Sequence, residues 1–201
     1  MSLETLRENL ERKGYRAVCF STKEDAAAYI DGQIDGKTVG FGGSQTLHQM
    51  GLYEMLKTHN TVHWHDFVPQ GSSVMETRRA ASTSQVYLSS VNGISEDGQI
   101  VNIDNTGNRV SAISCGPELV VLVIGKNKVA KSFEDALWRA RNVAAPLNAK
   151  RLNRKTPCAV KGDRCYDCKS PDRICRNLSV LWTKPAGAEY WVILIDETLG
   201  Y

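Results

Sequence analysis

Four of the six cysteines stand at Cys158, Cys165, Cys168 and Cys175, a C-x6-C-x2-C-x6-C run in a stretch with few apolar residues to fold it. A segment with so little core stays mobile unless ligation orders it, and metal binding supplies on the order of 10 kcal/mol towards such ordering. The close pair Cys165 and Cys168, with one further thiol at equal spacing on either side, predicts a single four-thiolate metal centre. Zinc ordinarily takes two C-x2-C knuckles and only one is present, whereas iron–sulfur clusters accept more varied spacing. An iron–sulfur cluster is therefore favoured, with zinc as the alternative and unligated thiols as the remaining reading. Lys161, Arg164, Lys169 and Arg173 would offset the thiolate charge, and Ser170-Pro171-Asp172 reads as a helix start that returns Cys175 to the site.

Three turns carry further chemistry. In Val39-Gly40-Phe41-Gly42-Gly43-Ser44-Gln45-Thr46 a strand runs into paired glycines and then a helix. Backbone N–H groups at such a turn suit an anion, so Gly42, Gly43, Ser44 and Thr46 are candidate ligand-binding residues for phosphate or carboxylate. The Walker lysine and the full dinucleotide glycine pattern are both missing. A tight turn with Ser44 as a helix cap accounts for the same residues without a ligand. Asp97-Gly98 is a hairpin signal that pairs residues 94–96 with 99–103, and it leaves the Glu96 carboxylate where the hairpin departs the sheet, placed to act as base or nucleophile. The third turn, Asp104-Asn105-Thr106-Gly107-Asn108-Arg109, again enters a helix. Asp104, Asn108 and Arg109 are its candidate binding residues, the arginine being suited to bidentate capture of carboxylate or phosphate or, more plainly, to a surface ion pair.

The remaining chemical side chains say less. His59, His63 and His65 can be drawn as a metal trio, but with no fourth ligand nearby they read as polar histidines at a strand edge. Cys19 and Cys115 fall in a strand and a helix interior, where a small buried hydrophobe explains them.

Alternating helices and short apolar strands must position these groups. Leu3, Leu6 and Leu10 share the face of a first helix that Gly14 ends. Strand 17–20, helix 23–34 and strand 37–41 follow, then a helical stretch 47–57 around Gly51, strand 61–64 and helix 75–84. Further strands are read at 86–89, 100–103 and 119–124, the last a continuous apolar run of the kind buried on both faces. Ser132 and Asp135 cap a helix whose Phe133, Leu137, Ala140, Ala144 and Leu147 form one stripe, which Pro146 kinks or ends. An irregular loop over residues 157–176 carries the cysteines. Two strands, 178–183 and 190–195, joined by a Pro-Ala-Gly turn, close the chain. This order predicts an α/β protein: a mostly parallel open sheet with helices on both faces, one domain over residues 1–201 with the Cys-rich loop as its only sub-region. In such sheets ligands bind beyond the carboxyl ends of the strands.

At 201 residues, 42% of them hydrophobic and 23% charged, the chain can bury a core without disulfide staples. No apolar run approaches the roughly 20 residues of a membrane span, and the charged first residues carry no secretory pattern, so no membrane role and a reducing cytoplasmic setting are expected. Between Arg139 and Arg176 eleven Lys or Arg stand against three Asp, a local charge of +8 that leaves −5 for the rest. Only Tyr166 and Trp138 interleave with that basic stretch, which argues against nucleic acid.

GGSQT at residues 42–46, ISEDG at 94–98, VNIDNTGNRV at 101–110 and RNVAAPLNAKRL at 141–152 resemble the lactate-utilisation (LUD) domain family, over about residues 14–201. The resemblance implies a fold similar to ribose-phosphate isomerases, glucosamine-phosphate deaminases and CoA transferases. In those relatives the glycine-rich turn holds a phosphate or CoA-type anion, and Gly42, Gly43, Ser44 and Thr46 match it. A catalytic glutamate in a Ser-Glu-x-Gly setting occurs in CoA transferases, and Ser95-Glu96-Asp97-Gly98 is similar. Family members in lactate oxidation work beside iron–sulfur proteins in a three-component conversion of L-lactate to pyruvate, which implies an iron–sulfur protein partner and fits the redox reading of the cysteines. The Cys loop is an addition to the minimal domain. The leading expectation is an accessory component of lactate or related carboxylate oxidation, with an anion-binding cleft and a four-cysteine metal centre. A stand-alone isomerase or CoA-transferase-type enzyme using Glu96, and a zinc-stabilised interaction module without catalysis, are the alternatives.

Overall fold

The strand–helix alternation builds two sheets where one was expected. The computed structural model describes residues 2–201. Ser2 caps α1 (Leu3–Arg12), whose Leu6 and Leu10 are fully buried. Then come β1 (Arg16–Phe20), α2 (Lys23–Gln33) capped by Thr22, and β2 (Thr38–Phe41). The stretch expected as one helix around Gly51 is two short ones, α3 (Gln45–Gln49) and α4 (Leu52–Leu56). Gly51, at φ +66°, makes the break, since a left-handed residue cannot continue a right-handed helix. β3 (Thr61–Trp64) leads to α5 (Val74–Ser82), which opens with a full capping box between Ser73 and Glu76.

β4 (Val86–Ser89) is followed by the hairpin of β5 (Gly93–Ser95) and β6 (Ile100–Asp104), with Ile94 opposite Ile100 and Gly98 at φ +82°, as its Asp-Gly turn predicts. After α6 (Asn108–Ser114) come β7 (Leu119–Gly125) and the two-residue β8 (Val129–Ala130). The capped helix α7 (Phe133–Arg139) does not stop near Pro146: a π-helical turn over Ala140–Ala144 carries it into α8 (Ala145–Arg151). Such a wide turn absorbs the missing proline N–H, which is why the helix continues. Within the Cys segment a short α9 (Pro157–Lys161) forms, while Ser170-Pro171-Asp172 makes a turn and no helix. β9 (Asn177–Leu181) and β10 (Glu189–Ile195) end the chain.

Six strands, in the order β1-β10-β7-β4-β2-β3, pair in parallel throughout. Along β7 side chains alternate between the two faces: Val121 and Val123 join Ile30, Leu47 and Leu56 on one, and Val120, Leu122 and Ile124 join Leu6, Leu10 and Ile113 on the other. Burial on both faces demands the continuous apolar run seen in the sequence. A second sheet, β8-β5-β6-β9, is antiparallel apart from the β5–β8 pair. The last two strands thus part company. β9, exposed along much of its length, lies at the edge of the second sheet, while β10, buried from Tyr190 to Ile195, enters the middle of the first. Cys115, expected inside a helix, is instead exposed at the C-terminal cap of α6, where the backbone has already turned extended. Among the described residues no helix is long and apolar enough to cross a membrane.

Candidate functional site

Parallel strands all deliver their carboxyl ends to one edge, and the loops leaving that edge enclose a cleft of about 260 Å³. Gly43 and Ser44 arrive after β2, His65 and Asp66 after β3, Ser90 and Asn92 after β4, and Lys128 after β7. Asp104, Asn108 and Arg109 close one side, and Asn148 and Arg151 of α8 with Gly200 and Tyr201 close another. The cleft therefore brings together five of the expected binding residues: Gly43, Ser44, Asp104, Asn108 and Arg109. Gly42 lies beneath it. A Cβ there would stand 2.9 Å from Ser89 Oγ, 3.0 Å from the Tyr87 hydroxyl and 3.1 Å from Arg109 Cδ, so the glycine is what lets the arginine stem cross the end of β2. Thr46 is fully buried, its hydroxyl donating to Leu199 O.

Two of the residues singled out for ligand capture turn inward. Arg109, 11% exposed at its side chain, donates from one terminal nitrogen to Asn102 Oδ1 (2.7 Å) and Ser90 O (3.2 Å). From the other it donates to Ile103 O (2.6 Å) and Asn92 Oδ1 (3.1 Å). Its fork joins the end of β4 in the large sheet to β6 in the small one. Asp104 accepts from the backbone N–H groups of Asn105, Arg109 and Val110, fixing the start of α6, whose cap position, Gly107, has no side chain to do so. Ser44 caps α3 through Leu47 N.

The cleft's other polar groups carry little signal in the sequence. Lys128, 3% exposed, donates to Ser90 Oγ (2.8 Å) and Thr46 Oγ1 (3.0 Å). Burial, with Arg139 and Arg109 adding to it, pushes its amine down to about 7. His65 is held below its ordinary value chiefly by burial, and its Nδ1 has no hydrogen-bond partner. Arg78 Nε is likewise buried and unpartnered. Arg151 is braced by Asn148 and the Tyr201 hydroxyl. Arg78, Arg109, Lys128, Arg151 and Arg154 thus face only two carboxylates, Asp66, which His48 contacts at 2.8 Å, and Asp104, which α6 occupies. An excess of positive charge in a concave site draws in anions.

Glu96 stands apart from the cleft. The hairpin turn that carries it packs on α1, with its backbone carbonyl accepting from Asn9 Nδ2 at 2.7 Å and its N–H donating to Ala130 O.

The four clustered cysteines, all unpaired, line one small apolar cavity together with Arg141, Ala145, Pro146, Ala149, Arg173 and Ile174. Asp167 N–H and one Arg141 nitrogen point at Cys165 Sγ (3.3 and 3.8 Å), and the Thr156 hydroxyl lies 3.2 Å from Cys158 Sγ. Arg173 ties the loop through the carbonyls of Cys168 and Cys175. Burial raises the Cys175 thiol above its ordinary value, with Arg173 working against it. Among the described residues no three His, Cys, Asp or Glu side chains are grouped so as to hold a metal ion. Ala145 and Ile174 belong to the walls of both this cavity and the polar cleft.

The family model described as the LUD domain matches residues 3–195. Among solved structures, a DUF162 family protein from Deinococcus radiodurans is similar in fold, with a TM-score of 0.54 at 11% identity over 96% of this chain and 95% of that one. No curated protein matches the chain.

Proposed function

The chain belongs to the LUD domain family, and from that premise we propose that it is an accessory component of lactate or related carboxylate oxidation, binding a small organic anion in its cleft and holding a redox metal centre on Cys158, Cys165, Cys168 and Cys175. The observation that carries the reading is the shared wall: Ala145 and Ile174 line the cationic cleft on one side and the four-cysteine cavity on the other. A carboxylate and a metal centre would then sit back to back across one layer of side chains.

The donor set favours an iron–sulfur cluster over zinc. Zinc ordinarily takes two C-x2-C knuckles, and this segment has one, Cys165 with Cys168. An iron–sulfur cluster accepts more varied spacing, and the Asp167 N–H directed at Cys165 Sγ would be the kind of contact that tunes its potential. When bound, such a cluster supplies one-electron transfer. Cys158, Cys165, Cys168 and Cys175 would hold it, Arg141 and Arg173 would offset the thiolate charge, and Pro146, Ala149 and Ile174 would keep water out.

The test is anaerobic purification followed by iron, sulfide and zinc analysis and visible absorption, with thermal-shift titration of L-lactate, pyruvate and a neutral amide analogue. The reading expects bound iron and sulfide, and stabilisation by the acids alone. Metal-free protein with four freely titrating thiols in the loop refutes the metal centre, and equal stabilisation by the amide refutes the anion cleft.

A further inference from the structure

Lys128 is a buried cation without a buried anion. Its amine has two partners, the hydroxyls of Thr46 and Ser90, and each hydroxyl passes its own proton onward, to Leu199 O (3.3 Å) and Val123 O (2.5 Å). Both oxygens therefore present lone pairs to Lys128, and neither brings charge. From the elements packed around it, α3 and the segment after β4 offer those hydroxyls and the C-terminal segment offers Leu199 and Gly200. The charged groups nearby, Arg109 of α6 and Arg139 of α7, are both cations. Among the described residues no carboxylate is paired with the amine, which is shifted by burial and by those two arginines alone. A lysine buried this way is costly to charge, and one placed where a cleft opens to ligand is completed by whatever anion enters.

Resting on the reading of the cleft as a site for a small organic anion, we propose that Lys128 is its anion-recognition group and that the ligand is a small monocarboxylic acid whose carboxylate becomes the lysine's counter-ion. The balance is simple. Above neutral pH the amine is uncharged in the free protein, the carboxylate enters, and one proton is taken from solvent to give an ammonium–carboxylate pair with no bond made or broken elsewhere. The unpartnered Nδ1 of His65 and Nε of Arg78 remain for a second polar group on the ligand, as a 2-hydroxy or 2-oxo acid carries. Burial holds the His65 imidazole below its ordinary value, so in the free protein it is neutral at pH 8.5, and the Lys128 variants separate its proton uptake from the lysine's.

The experiment is calorimetric titration of pyruvate, L-lactate and inorganic phosphate into the purified holoprotein, in buffers of different ionisation enthalpy, at pH 5.5, 7 and 8.5, repeated with Lys128→Met and Lys128→Gln. For the wild type the proposal expects close to one proton taken up per carboxylate at pH 8.5, about half at pH 7 and essentially none at pH 5.5. Affinity then falls towards tenfold per pH unit above neutrality. Both variants lose the proton uptake and bind at least about tenfold more weakly at pH 7, as removal of a charge-assisted contact requires. Wild-type binding of a carboxylate without proton uptake at pH 8.5, or variants that keep it, overturns the role of Lys128 and leaves the cleft reading standing. Phosphate binding with uptake while both acids fail overturns the carboxylate assignment, and binding of none of the three overturns the cleft reading and this one with it. Should neither variant fold, the wild-type buffer dependence at pH 8.5 decides alone.

Discussion

Arg109→Met should unfold this protein far more readily than it should empty the cleft. The guanidinium donates four hydrogen bonds, to Asn92, Asn102, Ser90 O and Ile103 O, from a side chain only 11% exposed. Methionine keeps the length of the stem and none of the donors, so four acceptors at the junction of the two sheets lose a charged partner at once. Hydrogen bonds to charged groups contribute about 1.5–3 kcal/mol each when measured singly. They share one side chain and some acceptors regain water, so the sum is smaller, and breaking one member of a buried charged network costs about 3–5 kcal/mol. With an unfolding slope of about 2 kcal/mol per molar urea, the midpoint should fall by about 2 M, read by tryptophan fluorescence. Arg109→Lys should recover less than half, because an ammonium is a point donor and cannot span two carbonyls and two amides. A midpoint within about 0.5 M of wild type for Arg109→Met would refute the claim that this fork joins the sheets. It would return the arginine to the role of ligand clamp.

Gly42→Ala places a methyl 2.9 Å from Ser89 Oγ and 3.1 Å from Arg109 Cδ, and should cost about 1–3 kcal/mol by thermal or urea unfolding as the arginine stem is displaced. Cys165→Ser with Cys168→Ser should abolish bound metal by elemental analysis and open residues 157–176 to limited proteolysis, with the remaining core still unfolding cooperatively. Because Lys128 is pushed down to about 7 from its ordinary 10.5, the folded protein binds fewer protons than the unfolded chain between those values, so stability rises with pH across that window. Lys128→Met should accordingly be more stable than wild type at pH 7, by a few kcal/mol at most, and the two melting curves should converge towards pH 10.

The local chemistry of the chain was legible in its sequence wherever the cause was local. The Asp97-Gly98 turn, the Ser44 and Ser132 caps and the uninterrupted apolar run of β7 each depend on neighbours within a few residues, and the structure carries all of them. The four clustered cysteines line one cavity, although among the described residues they are not grouped as a metal-ion site. The parallel sheet with helices on both faces follows from strand–helix alternation, because only that layering covers every apolar strip.

What the sequence did not carry is long-range. Nothing near residue 178 says that β9 pairs with β6 while β10 enters the large sheet: the choice is made by how many faces of each strand are buried in the finished core. Arg109 has the composition of a ligand clamp and becomes a brace because its four acceptors, 6 to 19 residues away in the chain, are brought around it only by the pairing of β6 and the end of β4. Lys128, between Lys126 and Lys131, is chemically identical to its neighbours in the sequence. It differs only because β7 ends under α3 and the C-terminal segment, which remove the water from that one amine, and burial is a property of the whole fold.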